Sequence, residues 1–279
     1  AVVCVPGQEG SDRRSMSLPA SELDVALKAF EQAKATHKQT VLILNVSGPV
    51  DLRSLEPLSD AILCAFLPGS MGAQALVNVL YGVVSPSGKL PLTFPKQYRD
   101  CPSFGNFPGY ANEVCYGEGV YVGYRGYEAK GISPAYAFGH GLSYTRFQIS
   151  DFEWEHDTLT EEQPLSFHVK VCNVGTADGA EVVQVYVKQR NATLDKPYQE
   201  LKTFAKVPLA VGESQTVRFT LGLTELASFD MKLNRFVTEP GLYELHIGNA
   251  SDAIVMEQAF RVCCTDPYGY DEQTRFADI

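Results

Sequence analysis

The hydrophobic pattern changes period near Arg146, and this limits the possible folds more than any other feature of the chain. Before that point, apolar runs alternate with helical patterns. Val2-Val3-Cys4-Val5 reads as a strand already under way. Ser21-Glu22-Leu23-Asp24 has the form of a capping box, after which Leu23, Ala26, Leu27, Phe30 and Ala33 share one helical face. Val41-Leu42-Ile43-Leu44 and the stretch Ala61-Ile62-Leu63-Cys64-Ala65-Phe66 are unbroken apolar runs, the pattern of parallel strands covered on both faces. Residues 73–80 read as a helix that stops at Gly82. This order, with short turns, predicts an open, mostly parallel α/β sheet. After Arg146 the period is two. Leu165, Phe167, Val169 and Val171 alternate with polar residues, as do Val183, Val185 and Val187, then Val217, Phe219 and Leu221. Turn signals such as Glu239-Pro240-Gly241 separate these runs, which predicts an antiparallel β-sandwich.

A chain of 279 residues with 45% hydrophobic content is long enough for two such domains. The expected division is an α/β part over 1–145, a sandwich over 146–264 and a polar tail over 265–279. Between residues 85 and 144 the sequence is rich in Pro, Gly and aromatics, with little periodicity. A segment of that length without its own elements is functional or wraps a neighbour.

The chemistry-bearing candidate is Gly7-Gln8-Glu9-Gly10-Ser11-Asp12-Arg13, which follows the first apolar run. Loops at the carboxyl ends of parallel strands are where α/β folds place reactive groups, and Gly10 lets the backbone approach a partner closely. Glu9 is therefore the candidate reactive carboxylate. Asp12 and Arg13 are positioned to hold its loop, by an ion pair or by backbone hydrogen bonds. The segment is not a phosphate loop, because both GxxxxGK[ST] and GxGxxG are absent, and no cofactor is expected. Glu118, between glycines, and His140, in Gly-His-Gly, read as structural. Tyr121, Tyr124 and Tyr127 suit packing or sugar stacking. His37, His156, His168 and His246 have no evident partners in the sequence.

A net charge of −10 without a basic cluster argues against a nucleic-acid partner. No apolar stretch approaches the ~18–20 residues needed to span a bilayer. No signal peptide is visible, and the compartment, secreted or cytoplasmic, stays open. None of the seven cysteines has metal-ligand spacing with histidine. Cys4, Cys64 and Cys172 read as buried thiols, while Cys101 and Cys115 bracket one loop and could pair, and Cys263 or Cys264 could pair elsewhere. Of the sequons at Asn45, Asn191 and Asn249, the first lies in a strand, and the other two look loop-like.

Taken in order, several stretches resemble the C-terminal part of family 3 glycoside hydrolases, most of all the β-glucosidases. They are Glu9-Gly10-Ser11-Asp12-Arg13 with Leu18-Pro19, Ser47-Gly48-Pro49-Val50, Pro68-Gly69-Ser70-Met71-Gly72, Pro86-Ser87-Gly88-Lys89-Leu90-Pro91, the segment 116–124 and the segment 138–145. Glu181-Val182-Val183-Gln184-Val185-Tyr186, Leu201-Lys202-Thr203-Phe204 and Glu239-Pro240-Gly241 resemble the fibronectin type III-like domain that closes these enzymes. Ser70-Met71 departs from the more usual Gln-Glu or Thr-Glu. The resemblance implies retaining hydrolysis of β-glucosides or oligosaccharides with Glu9 as general acid/base. It also implies a (β/α)8 barrel, carrying the catalytic aspartate, that this sequence does not contain. The chain alone is then expected to be inactive. The competing reading is a non-catalytic carbohydrate-binding or scaffolding module that pairs with a separate barrel subunit.

Overall fold

A computed structural model describes residues 2–5, 13, 15–264 and 268–270, with only the backbone of 2–5 and 268–270. The chain forms two compact units, residues 1–84, 93–115 and 134–136 in the first and the remainder in the second.

The first unit is built on a parallel sheet of β1 (Val2–Val5), β2 (Val41–Val46) and β3 (Ala61–Cys64), in the order β1-β2-β3. Helix α1 (Ala20–Ala35) precedes β2 and packs against β1, and α2 (Gly72–Leu80) follows β3. The expected apolar face of α1 is present, with Ala26 and Phe30 buried. Its start differs from the capping-box expectation. Pro19 is the N-cap, no side chain caps the helix, and Ser21 already lies inside it. Proline's fixed φ supplies the entry that a serine cap would otherwise provide.

Strand β2 is not covered on both faces. Leu42, Leu44 and Val46 are fully buried, whereas Val41, Ile43 and Asn45 are half-exposed. Helix α2 is apolar almost all round yet exposes Val77 and Leu80. A helix of that composition is normally buried on every side. Ile43, Asn45, Leu67, Pro68, Ala73 and Leu76 line the open apolar cleft between β2 and α2. The start of the β2–β3 pair is fixed by Thr40, whose Oγ1 donates to Leu58 O at 2.6 Å while its N donates to Asp60 Oδ2 at 2.7 Å.

The second unit is a β-sandwich with a strap. Helix α3 (Tyr124–Lys130) lies inside the segment expected to lack elements. It escapes a periodicity reading because it has only two turns, entered at Gly123 and closed by left-handed Gly131. The strands are β4 (Phe147–His156), β5 (Thr158–Leu159), β6 (Leu165–Asn173), β7 (Gly179–Gln189), β8 (Glu200–Leu209) and β9 (Ser214–Leu221). They continue with β10 (Ser228–Asp230), β11 (Arg235–Thr238), β12 (Gly241–Ala250), β13 (Ala253–Val262) and β14 (Tyr268–Tyr270).

One sheet has the order β5-β13-β12-β7-β8 and the other β4-β6-β9, with β10-β11-β14 as a small third sheet. The period-two residues meet between the sheets as expected: Leu165, Phe167, Val169, Val171, Val183 and Val185 are fully buried, and Leu245 and Ile247 of β12 join them. Phe167 stacks on Phe152 and Phe219 at 5.4 and 5.5 Å, so aromatic burial supplies much of the cohesion.

The family-like segments 86–91 and 138–145 pair with each other and are pinned to β7. Leu90 N donates to His140 O, and Gly139 N donates back to Leu90 O. The amide nitrogen of Gln184 donates to Gly139 O at 3.1 Å and to Asn249 O at 2.7 Å. A Cβ on Gly139 would strike the Gln184 amide, and its φ is +81°, so both space and backbone require glycine. Lys89 forms a nearly buried ion pair with Glu181 at 2.7 Å and donates to Gly141 O. Asn249 donates its side-chain amide to Glu181 from within β12, so that sequon is not in a loop. Asn191 is exposed in a turn, and Asn45 donates to Phe66 O from β2.

Among the described residues Cys64, Cys115, Cys172 and Cys263 are free thiols, so Cys101 and Cys115 are not bridged. Among the described residues no group of three or more His, Cys, Asp or Glu could hold a metal ion. No helix there is long and apolar enough to cross a membrane.

Candidate functional site

Parallel pairing of β1 with β2 aligns Val5 with Val46, so both strands end at the same edge of the sheet. β1 ends there at Val5, and the turn Ser47-Gly48-Pro49-Val50 leaves β2 at the same edge. Glu9 and Asp12 lie outside the described residues. Arg13 is described and half-buried. Its Nη2 donates to Pro49 O at 2.5 Å. Three residues on, Met16 O accepts from Asp51 N at 3.0 Å. Arg13 and Met16 are therefore each tied to the turn that follows β2. That turn is itself firm, because Val50 and Leu52 are buried and Asp51 is gripped by the Arg53 guanidinium, Nη2 to Oδ2 at 2.6 Å. The fork holds the Asp51 carboxyl below its ordinary range, and burial lowers the Arg13 pKa from its ordinary value.

The other sequence candidates serve packing. Tyr127 is buried, and Tyr124 stacks on Phe138 at 4.8 Å while its hydroxyl accepts from Leu201 N. The Tyr121 hydroxyl donates to Asp195. Glu118 O closes a turn by accepting from Tyr121 N. His140 sits half-buried in the strap, where desolvation lowers its pKa. Two histidines expected to lack partners have them: His168 Nε2 lies 3.1 Å from Glu153, and His246 Nδ1 lies 2.7 Å from Gln199 Oε1. The first is a cross-strand pair of β6 and β4, and the second comes from the loop before β8; sequence spacing displays neither.

A family model described as the glycosyl hydrolase family 3 C-terminal domain matches residues 1–144. The chain belongs to glycoside hydrolase family 3. A second model, the fibronectin type III-like domain, matches residues 181–251 of this family 3 chain. Thermostable beta-glucosidase B of Acetivibrio thermocellus is 38% identical over 257 residues, which is 92% of this chain and 33% of that protein. Beta-glucosidase BoGH3A of Bacteroides ovatus is 34% identical, covering 88% of this chain and 33% of that protein. Beta-glucosidase 3B from Thermotoga neapolitana, solved with glucose, superposes with a TM-score of 0.86 at 37% identity, over 93% of this chain and 37% of that one. The family 3 chain thus spans about a third of the length of the curated relatives it matches.

Proposed function

We propose that this chain supplies the acid/base half of a retaining β-glucosidase site. Glu9 is the general acid/base, and Asp12 and Arg13 support its loop. A (β/α)8 barrel, as a further domain or a separate subunit, supplies the carboxylate nucleophile and most of the glycone pocket. The substrate class is terminal β-D-glucosyl residues of glucosides or oligosaccharides. A retaining mechanism sets two carboxyl groups about 5–5.5 Å apart across the anomeric carbon. One carboxyl protonates the departing oxygen and, once ionised, activates water against the glycosyl-enzyme. Its loop must be held while its side chain reaches into the neighbouring pocket. The observation that carries the reading is the anchoring of Arg13 and Met16 to the Pro49–Asp51 turn, immediately after the segment containing Glu9. The β-glucosidase identity of the relatives supports the substrate class.

A single carboxylic acid without a bound substrate contributes little catalysis. The chain alone is expected to leave a chromogenic β-glucoside intact, and hydrolysis is expected when a family 3 barrel domain is added. Turnover by the chain alone would contradict this. A scaffolding role without catalysis is the competing reading, favoured by the half-exposed apolar side of β2 and α2. It requires that Glu9 be dispensable in the mixture.

A further inference from the structure

Helix α3 meets the sandwich through a buried polar chain that the proposed reaction does not use. Glu128 Oε1 accepts from Gln199 Nε2 at 2.8 Å, and the same nitrogen donates to Ser251 O. With both amide hydrogens spent, Gln199 Oε1 is left as the acceptor for His246 Nδ1 at 2.7 Å. That fixes the His246 tautomer with its proton on Nδ1. Gln199 and His246 are each 2% exposed. At one end of this chain Glu128 Oε2 is buried without a hydrogen-bond partner among the described residues, and at the other His246 Nε2 lies 3.7 Å from Glu244 Oε2, beyond hydrogen-bond distance.

The charged and titratable groups around Glu128 are Arg125 on its own helix, Asp252 in the β12–β13 turn and Tyr186 on β7. Around His246 stand Glu244 on β12, Glu257 on β13 and Lys188 on β7. Arg125 is already committed to Glu200, Nη2 to Oε1 at 3.1 Å. An ionised Glu128 would face Asp252 with one oxygen unsolvated and no cation dedicated to it.

We infer that Glu128 is a proton-held clasp: its neutral carboxyl lets α3 seat against Gln199 and the sandwich, and ionisation, which leaves a buried carboxylate oxygen unsolvated, loosens the helix. The same helix carries Tyr124, whose ring stacks on Phe138 and whose hydroxyl accepts from the start of β8. Loosening α3 therefore reaches the strap and the sheet edge together. Desolvation, the largest cause, raises the Glu128 pKa to about 7 against the Gln199 hydrogen bond, which favours the ionised form. Because the folded protein then holds this proton more tightly than the unfolded chain, the contribution is fully present below the ordinary carboxyl range. It is lost as pH rises through about 7.

The test is the melting temperature of the full 279-residue chain and of its Glu128→Gln variant from pH 5.5 to 8.5. The variant keeps an acceptor for Gln199 and cannot ionise. The gap in favour of the variant is expected to widen with pH, by several degrees, on the order of 4 °C. A gap that is constant with pH would overturn the clasp. Should the variant fail to fold, the wild-type chain still decides: the Glu128 carboxyl carbon, followed by NMR, is expected to titrate near neutrality. A midpoint in the ordinary carboxylate range would overturn it.

Discussion

Replacing Glu9 by Gln is expected to cut hydrolysis of an alkyl or sugar-linked β-glucoside by the barrel-complemented protein about 10²–10⁴-fold. The size depends on the leaving group, and that dependence distinguishes an acid/base from a binding residue. An alkoxide is too basic to depart without a proton, so glycosylation collapses when the acid is lost. A nitrophenolate departs unaided, so its glycosylation is little affected, and the slow step becomes hydrolysis of the glycosyl-enzyme. For that substrate kcat and KM are expected to fall together, because the intermediate accumulates. The limb of the pH profile that reports ionisation of the acid is expected to disappear. Kinetics on the two substrate types give the answer. Equal losses on both would mean that Glu9 acts in folding or binding instead.

The second large effect concerns the Lys89–Glu181 pair. Their side chains are 11% and 9% exposed and lie 2.7 Å apart, and Glu181 also accepts from Asn249 and from Val182 N. Lys89→Met leaves a buried carboxylate facing neutral donors only. Breaking such a pair costs about 3–5 kcal/mol, which corresponds to a melting temperature lower by roughly 10 °C. Removing both charges is a different matter, since neutral groups of similar size need no counter-ion. The double variant Lys89→Met, Glu181→Gln is expected to recover most of the loss. Thermal unfolding of the two variants checks this, and a neutral single variant would show that the ion pair does not hold the strap. The result bears on function because Pro86-Ser87-Gly88-Lys89-Leu90-Pro91 is one of the segments that mark the family, and here it works through packing.

How much of this was legible in the sequence depends on the range of the interaction. Strands β6, β7 and β9 follow from the period-two pattern, and α1 from its apolar face, whereas β12 is buried at six consecutive positions and shows no such alternation. The unbroken run 41–44 is a strand, but its second face is half-exposed, because burial on that side depends on what lies across from it and not on the run itself. Helix α3 was hidden by its length and by its glycine borders. Arg13 could be read as loop support from its neighbours in the chain, yet its acceptor, Pro49 O, lies 36 residues away. Gln199, Glu128 and His246 carry no joint signal in the sequence, since they come from the loop before β8, from α3 and from β12, and only the fold brings them together. Glu9 and Asp12 follow from the motif alone and lie outside the described residues, so their proposed roles are tested through chemistry.

The most direct measurement is the product formed when the barrel-complemented Glu9→Gly variant is given an activated β-glucoside with sodium azide. With the acid/base gone, a small anion fits the vacated space and attacks the glycosyl-enzyme without needing a proton removed. The account predicts that azide restores turnover and that the product is the β-glucosyl azide, its configuration retained by two successive inversions. Absence of rescue, or an α-configured azide, would contradict the assignment of Glu9 as the acid/base of a retaining site.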